Sequence, residues 1–273
     1  MSRCFFSVDL EDWFHAHNLR PVIDREDWDE CELRVVDNTK TLLDLLDRHD
    51  VTATFFVLGY VADRAPDLIR EVEARGHEIA THGYNHKEVT DLSRAEFSAD
   101  VERSIERIEA AIDGDVHGYR APSFSITGWA LDVLRELGLT YDSSSFPFAG
   151  HPRYGNIDVQ QEGTFVRLDN GLVEAQLPLL SIARKQIPWA GGGYFRFIPY
   201  TIYQRGIQRI QKRQDVIFYV HPWELDPDQP SLPGLSPLRK VRHYRNLDET
   251  VHRLDRLLDA FEWEPIGAKA NEL

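Results

Sequence analysis

Short apolar runs that stop abruptly at polar, reactive-looking residues set the rhythm of this chain. Residues 4–8 are apolar and aromatic, and the chain then turns acidic at Asp9, Glu11 and Asp12, as a buried strand does where it ends at a functional edge. Leucines at 42, 43, 45 and 46 make a helical stripe over 39–48. Residues 53–57 read as a strand and 66–75 as a helix, with Pro66 at its first turn and Gly76 at its stop. The alternation continues with a strand at 77–81, a helix at 93–112 opened by a Ser93/Glu96 capping box, and a strand at 118–121. A helix at 129–137 and a strand at 140–142 follow. Strands alternating with helices imply parallel pairing, in an open sheet or a barrel. Polar residues follow the strands after Val8, Ala80, Tyr119, Tyr141 and Val220. Groups at so many C-terminal strand ends converge most naturally on a barrel mouth, so the expected fold is α/β, an irregular (β/α) barrel.

The stretch from about 146 to 198 breaks the pattern. It is rich in Gly, Pro and aromatics, and its short runs, such as 172–177, suggest strands outside the main alternation. It reads as an insertion near the mouth, not as a separate domain, so one catalytic domain over 1–273 is expected. Trp189, Tyr194 and Phe195 in it offer either a sugar-stacking platform or plain packing of an irregular segment. The chain returns to helix at 200–213, strand at 215–220 and helix at 247–261. A basic loop at 232–244 holds Arg239, Lys240, Arg242 and His243. Together with Arg196 these could meet a phosphate or an acidic saccharide, or form a solvated face.

Composition narrows the function classes. At 42% hydrophobic and 28% charged, the chain is of the ordinary globular kind. Its 45 acidic and 31 basic residues give a net charge of −14, which makes nucleic acid and anionic lipid surfaces poor partners for the molecule as a whole. Two cysteines, Cys4 and Cys31, make no disulfide framework and read as reduced thiols. The start of the chain reads as lacking a secretory signal, and the most apolar run, 51–62, is too short to span a bilayer. A cytoplasmic protein without a membrane span is the expectation, and its oligomeric state is unreadable.

Five constellations carry chemistry. In Thr81-His82-Gly-Tyr-Asn-His86, two histidines four apart can converge on one ion, although unrelated surface histidines also fall at this spacing. The zincin glutamate at the second position is missing, which disfavours a metalloprotease. Three carboxylates in Asp9-Leu-Glu11-Asp12 repel one another unless a cation or an arginine neutralises them. One of them would complete a two-His, one-carboxylate site with positions left for water and substrate; an acidic helix start is the alternative. Arg120, at a strand end, can make a bidentate pair with a carboxylate. The remaining two are Tyr141-Asp142-Ser-Ser-Ser-Phe146 and Phe218-Tyr-Val-His221-Pro-Trp223, in which His221 could equally be a satisfied core histidine.

In order and spacing these resemble the polysaccharide deacetylase (NodB-homology) group, carbohydrate esterase family 4. "ATFFVLG", "GHEIATHGYNH", "YRAPSFS", "YDSSSFP" and "FYVHPWE" look like its successive motifs between residues 5 and 223. "WAGGGYFRFIPY" and "HYRNLDETVHRLDRLL" resemble a subgroup associated with bacterial exopolysaccharide loci. The resemblance implies Asp9 as catalytic base, His82 and His86 as metal ligands, Arg120 as the residue orienting the base, His221 as general acid and Asp142 as the acid tuning it. The family often has two adjacent aspartates in its first motif, but here Leu10 follows Asp9, so the third ligand falls to Glu11 or Asp12. Glu11 is preferred, because an extended backbone puts it on the same side as Asp9. The implied cofactor is a divalent metal, Zn²⁺ first, with Co²⁺, Fe²⁺ or Ni²⁺ also suited. The implied activity is removal of N-acetyl groups from amino sugars. A deformylase or another amidohydrolase on a small or lipid-linked substrate is the alternative, and a non-catalytic carbohydrate-binding protein a second one.

Overall fold

The computed structural model describes residues 2–147, 155, 157, 163–182 and 185–273. Strands β1 (Cys4–Leu10), β2 (Thr54–Val57), β3 (Glu78–Thr81), β4 (Gly118–Tyr119) and β5 (Tyr141–Asp142) are joined by helices α1 (Val35–Arg48), α2 (Gly59–Arg64), α3 (Pro66–Ala74), α4 (Arg94–Glu109) and α5 (Gly128–Glu136). Strands β6 (Phe165–Arg167), β7 (Val173–Ala175), β8 (Leu179–Ile182) and β9 (Lys185–Pro188) follow, and then helices α6 (Gly192–Phe197) and α7 (Tyr200–Gln211). The chain closes with β10 (Val216–Val220), α8 (Pro237–Tyr244), α9 (Thr250–Ala260), β11 (Trp263–Glu264) and α10 (Ile266–Ala270).

The main sheet runs β10-β1-β2-β3-β4-β5-β7-β6, with β11 also on β1, and is parallel except for the β6–β7 hairpin. It curls into a half-barrel: the Thr164 hydroxyl, just before β6, donates to the Asp215 carbonyl just before β10 (2.7 Å), and Phe165 meets Phe5 edge-on. The run at 172–177, expected outside the alternation, thus supplies β7, which pairs in parallel with β5 and extends the sheet. Part of the expected insertion at about 146–198 lies outside the described residues.

Alternation along β1 shows why this sheet places chemistry at one end. Cys4, Phe6, Val8 and Leu10 pack into the large core shared with the outer helices. Residues of the opposite parity face the inside of the curl, where Phe5 packs with Phe56, Ala80 and Ile217. Ile266 and Ala270 of α10 join that inner cluster. Ser7 stands next along the strand and Asp9 after it, so the inside grades from apolar to ionised toward the C-terminal strand ends.

Helix α1 starts at Val35, four residues before the leucine stripe predicts. The cause is Asp12: its carboxylate accepts from the backbone N–H groups of Trp13 (2.7 Å), Arg34 (2.8 Å) and Val35 (2.9 Å). Asp12 therefore ties the loop after β1 to the start of α1 across 22 residues. Asp12→Ala is expected to cost about 2 kcal/mol by leaving these donors without their acceptor. Urea unfolding together with metal analysis checks this. A loss of bound metal without a loss of stability would mean that Asp12, not Glu11, is the ligand.

Candidate active site

Asp9 is buried at the mouth end of β1. Its Oδ1 accepts from Arg120 Nη1 at 2.7 Å. Arg120, fully buried just beyond β4, has each of its guanidinium nitrogens occupied. Nε donates to the Ser143 carbonyl (2.9 Å), Nη2 to Ser143 Oγ (2.9 Å), and Nη1 also to Ser7 Oγ (2.9 Å). Its guanidinium carbon lies 4.0 Å from the Phe56 ring centre. A guanidinium gripped on four sides cannot swing, so one oxygen of Asp9 is fixed and the other is left for chemistry.

After Leu10 the chain turns, with the Glu11 N–H donating to the Asp9 carbonyl (2.9 Å), and the Glu11 side chain reaches the two histidines beyond β3. Glu11 Oε1 lies 3.0 Å from His82 Nε2 and 2.9 Å from His86 Nε2, and all three residues are buried. His86 adopts φ 51°, a left-handed conformation that a histidine takes only where its surroundings hold it there. Burial alone would raise the Glu11 carboxyl, but His86 and His82 outweigh it and hold the group well below the usual carboxylate range. Burial pushes His86 down in turn.

Can these residues hold a metal? His82 Nδ1–H donates to the Arg120 carbonyl oxygen (2.8 Å), which can only accept. In the neutral imidazole the Nε2 lone pair is therefore aimed at Glu11 Oε1, so two acceptors face each other at contact distance. A cation between them resolves that conflict. The three ligand atoms lie within 4.8 Å of one another, and two imidazoles with one carboxylate form a donor set suited to a divalent transition metal or zinc. The residues fit the ion. Asp12, the alternative to Glu11, is spent on the α1 backbone.

His221, just after β10, faces the same centre from the strand next to β1. Its Nε2 is 3.8 Å from Asp9 Oδ2 and 4.0 Å from Glu11 Oε1. Its Nδ1 is 2.7 Å from Glu224 Oε1, and its backbone N–H donates to the same oxygen (3.2 Å). Burial pulls the His221 imidazole down, yet the bond to Glu224 and the charges of Glu11 and Asp9 outweigh it and push the group up to about 9. Glu224 is held at about 2: burial raises it, but Arg196 and His221 outweigh that.

Here the structure departs from the sequence pattern. The acid on His221 is Glu224, not Asp142. Asp142 accepts from Ser144 Oγ (2.6 Å) and sits in register with Glu174 of the neighbouring strand β7. Burial pushes Asp142 up to about 6 and Glu174 well above the carboxylate range, as two carboxyls sharing one dry site require. The signal for Glu224 is present in His221-Pro-Trp-Glu224, a cap-like i, i+3 spacing after a strand. Arg196, expected either to meet an anion or to lie on a solvated face, is buried instead. Its Nε donates to Glu224 Oε2 (2.6 Å) and its other nitrogens to the carbonyls of Arg242, His243 and Arg245. The aromatics that offered either a sugar platform or plain packing divide: Trp189 stacks on Tyr203 and Phe195 is buried, both as core, while Tyr194 lines the cleft. The basic loop at 232–244 is in part helix α8.

The centre opens into a cleft of ≈ 480 Å³ lined by Asp9, Glu11, His82, His86, His221 and, further out, Tyr194. Ser123, also in its wall, has φ 55°, and Phe124 beside it φ 58°.

The half-barrel that carries these groups is shared with solved structures of the polysaccharide deacetylase type. Over 99% of this chain and 89% of the other, the fold matches a Mycobacterium smegmatis protein assigned to the polysaccharide deacetylases (TM-score 0.63, 19% identity). A CE4 family pseudoenzyme from Bacillus anthracis shares it (TM-score 0.52, 12% identity, 99% of this chain and 66% of that one), so the fold by itself does not carry the activity. Residues 27–141 match the family described as polysaccharide deacetylase, and residues 143–270 match a domain of unknown function (DUF3473). Over residues 27–141 the chain thus resembles the polysaccharide deacetylase family, the NodB-homology group of carbohydrate esterase family 4. A chitooligosaccharide deacetylase of Sinorhizobium fredii is 40% identical over 101 residues, 35% of this chain and 44% of that protein. The chain thus spans less than half the length of this curated relative. Among the described residues no helix is long and apolar enough to cross a membrane.

Proposed function

We propose that the protein is a divalent-metal-dependent hydrolase that removes N-acetyl groups from the amino sugars of a polysaccharide or oligosaccharide. The observation that carries this reading is the convergence, in one cleft, of the Arg120-gripped Asp9, the Glu11/His82/His86 cluster and the Glu224-bound His221. A cation held by Glu11, His82 and His86, Zn²⁺ first by donor type, supplies Lewis-acid polarisation of the amide and activation of water.

The rest is the work of the chain. Asp9, with Oδ1 fixed by Arg120, presents Oδ2 as general base to the attacking water. His221 carries a proton on Nε2, because Glu224 takes up Nδ1 and holds the ring cationic, and it delivers that proton to the leaving amine. Ser123 lines the cleft, and its backbone N–H is the candidate donor to the developing oxyanion, since those of Phe124 and Ser125 are bound to the Ala121 and Pro122 carbonyls. The products are the free amino sugar and acetate.

The test is acetate release from N-acetylglucosamine oligomers after chelation and after Zn²⁺ or Co²⁺ is returned. Restored release in wild type, with Glu11→Gln binding metal at least tenfold more weakly, is expected. Release that is indifferent to chelation overturns the metal reading. Formate release from N-formyl sugars with no acetate release would point to a deformylase instead. Metal bound without hydrolysis of either substrate would leave a carbohydrate-binding protein.

A further inference from the structure

We propose that the outer lip of this cleft, formed by α8 and the end of α6, binds the phosphate-bearing, apolar end of the substrate, so that the amino sugar offered to Asp9 and His221 is carried on a lipid phosphate. The inference rests on the deacetylase reading for the bond that is cut. It adds what lies beyond that bond.

Three exposed apolar side chains face one place. Leu238 is 61% exposed, Val241 46% and Phe197 38%, and all three line the cleft that holds the catalytic groups. Leu238 and Val241 are three apart on α8 and so share a face. A neutral glycan, hydroxylated on every side, gains little from aliphatic side chains, whereas a hydrocarbon tail gains from each methylene it buries there. The charge of the lip is as telling. Helix α8 carries Arg239, Lys240 and Arg242, with Arg245 at its end and no carboxylate, in a chain of net charge −14. Arg239 donates to the Asn18 carbonyl and Arg245 lies over Phe197. Arg242 is exposed, lines the cleft, and has no ion-pair partner among the described residues. A cation left unpaired in an acidic molecule, beside aliphatic side chains at a cleft mouth, suits an anion bonded to hydrocarbon. Arg196 then joins the two halves of the site, because one guanidinium holds both the C-terminal carbonyls of α8 and the Glu224 that sets His221.

The metal-loaded enzyme is assayed for acetate release from three donors: soluble tetra-N-acetylchitotetraose, UDP-N-acetylglucosamine and farnesyl-diphosphate-linked N-acetylglucosamine. The expected result is a kcat/KM at least tenfold higher for the farnesyl donor than for the other two. A Leu238→Ser/Val241→Ser double variant and Arg242→Gln should each reduce that preference about tenfold, through KM. Equal kcat/KM for all three donors overturns the proposal. A preference shared by the nucleotide donor overturns the lipid part and leaves an anion site. Binding of dodecyl phosphate below its micellar concentration, followed by calorimetry, tests the lip without hydrolysis. Binding weakened about tenfold in both variants supports the lip, even if no donor is cleaved and the deacetylase reading fails; no binding to wild type overturns it.

Discussion

Asp9→Asn is expected to lower kcat by 10²–10⁴-fold while bound metal and folding stay at wild-type levels. The asparagine has nearly the same shape and can still accept from Arg120 Nη1 through its amide oxygen. The other position, now an NH₂, faces His221 Nε2 where Asp9 Oδ2 stood at 3.8 Å, and it cannot take a proton from water. The metal donors Glu11, His82 and His86 do not include Asp9, so the loss should fall on kcat and leave metal content, measured by mass spectrometry, unchanged. An Asn variant that hydrolyses at the wild-type rate would remove Asp9 as the base. One that loses its metal would place Asp9 among the ligands.

The second large effect is expected at Glu224. In the metal-free site His221 is pushed up to about 9, and a cation on Glu11 offsets part of that push, so the alkaline limb of kcat should lie at or below about pH 9. Glu224→Gln removes the nearest of the charges that oppose burial, which then pulls the imidazole downward. The protonated form is lost at a lower pH, the alkaline limb moves down, and kcat at neutral pH falls by about 10²-fold, with partial recovery on acidification. The same change leaves Arg196 buried beside a neutral amide, and breaking a buried pair costs about 3–5 kcal/mol. Thermal unfolding of Glu224→Gln therefore has to accompany the pH profile, and Asp142→Asn is the comparison. If the alkaline limb stays in place in Glu224→Gln and moves in Asp142→Asn, then Asp142 is the acid that tunes His221.

How much of this is legible without coordinates depends on how local the signal is. Strand-end residues such as Asp9, His82, Arg120 and His221 announce themselves, because burying an apolar run right up to an ionisable group is costly unless that group has work to do. Helix α4 is legible for a similar reason, Ser93 and Glu96 forming its cap as the pattern predicts. Features that depend on distant partners are not legible. The start of α1 is set by a carboxylate 22 residues away. Strand β7 has three residues and little alternation, yet β5 gives it a place in the sheet. Helix α8 reads as a loop in sequence because it is only eight residues long and mostly basic, and its two apolar residues, Leu238 and Val241, are exposed and join no core. Glu224 is hidden because Asp142 fills the family's slot, although sequence distance favours the residue three positions from His221.

That contrast in sequence distance has a thermodynamic consequence. The His221–Glu224 pair closes over three residues, whereas Glu11 meets His82 and His86 across 71 and 75. A chain in which β2 has not yet joined β1 to β3 keeps the first pair within reach and has no second cluster. A divalent ion that recognises the cluster therefore binds the completed sheet and not its precursors. At a hundredfold excess over its dissociation constant it should deepen the native well by about 2.7 kcal/mol. Metal supply would then act as a stability control as well as a catalytic one, and a shortage of it would show first as protein lost to unfolding.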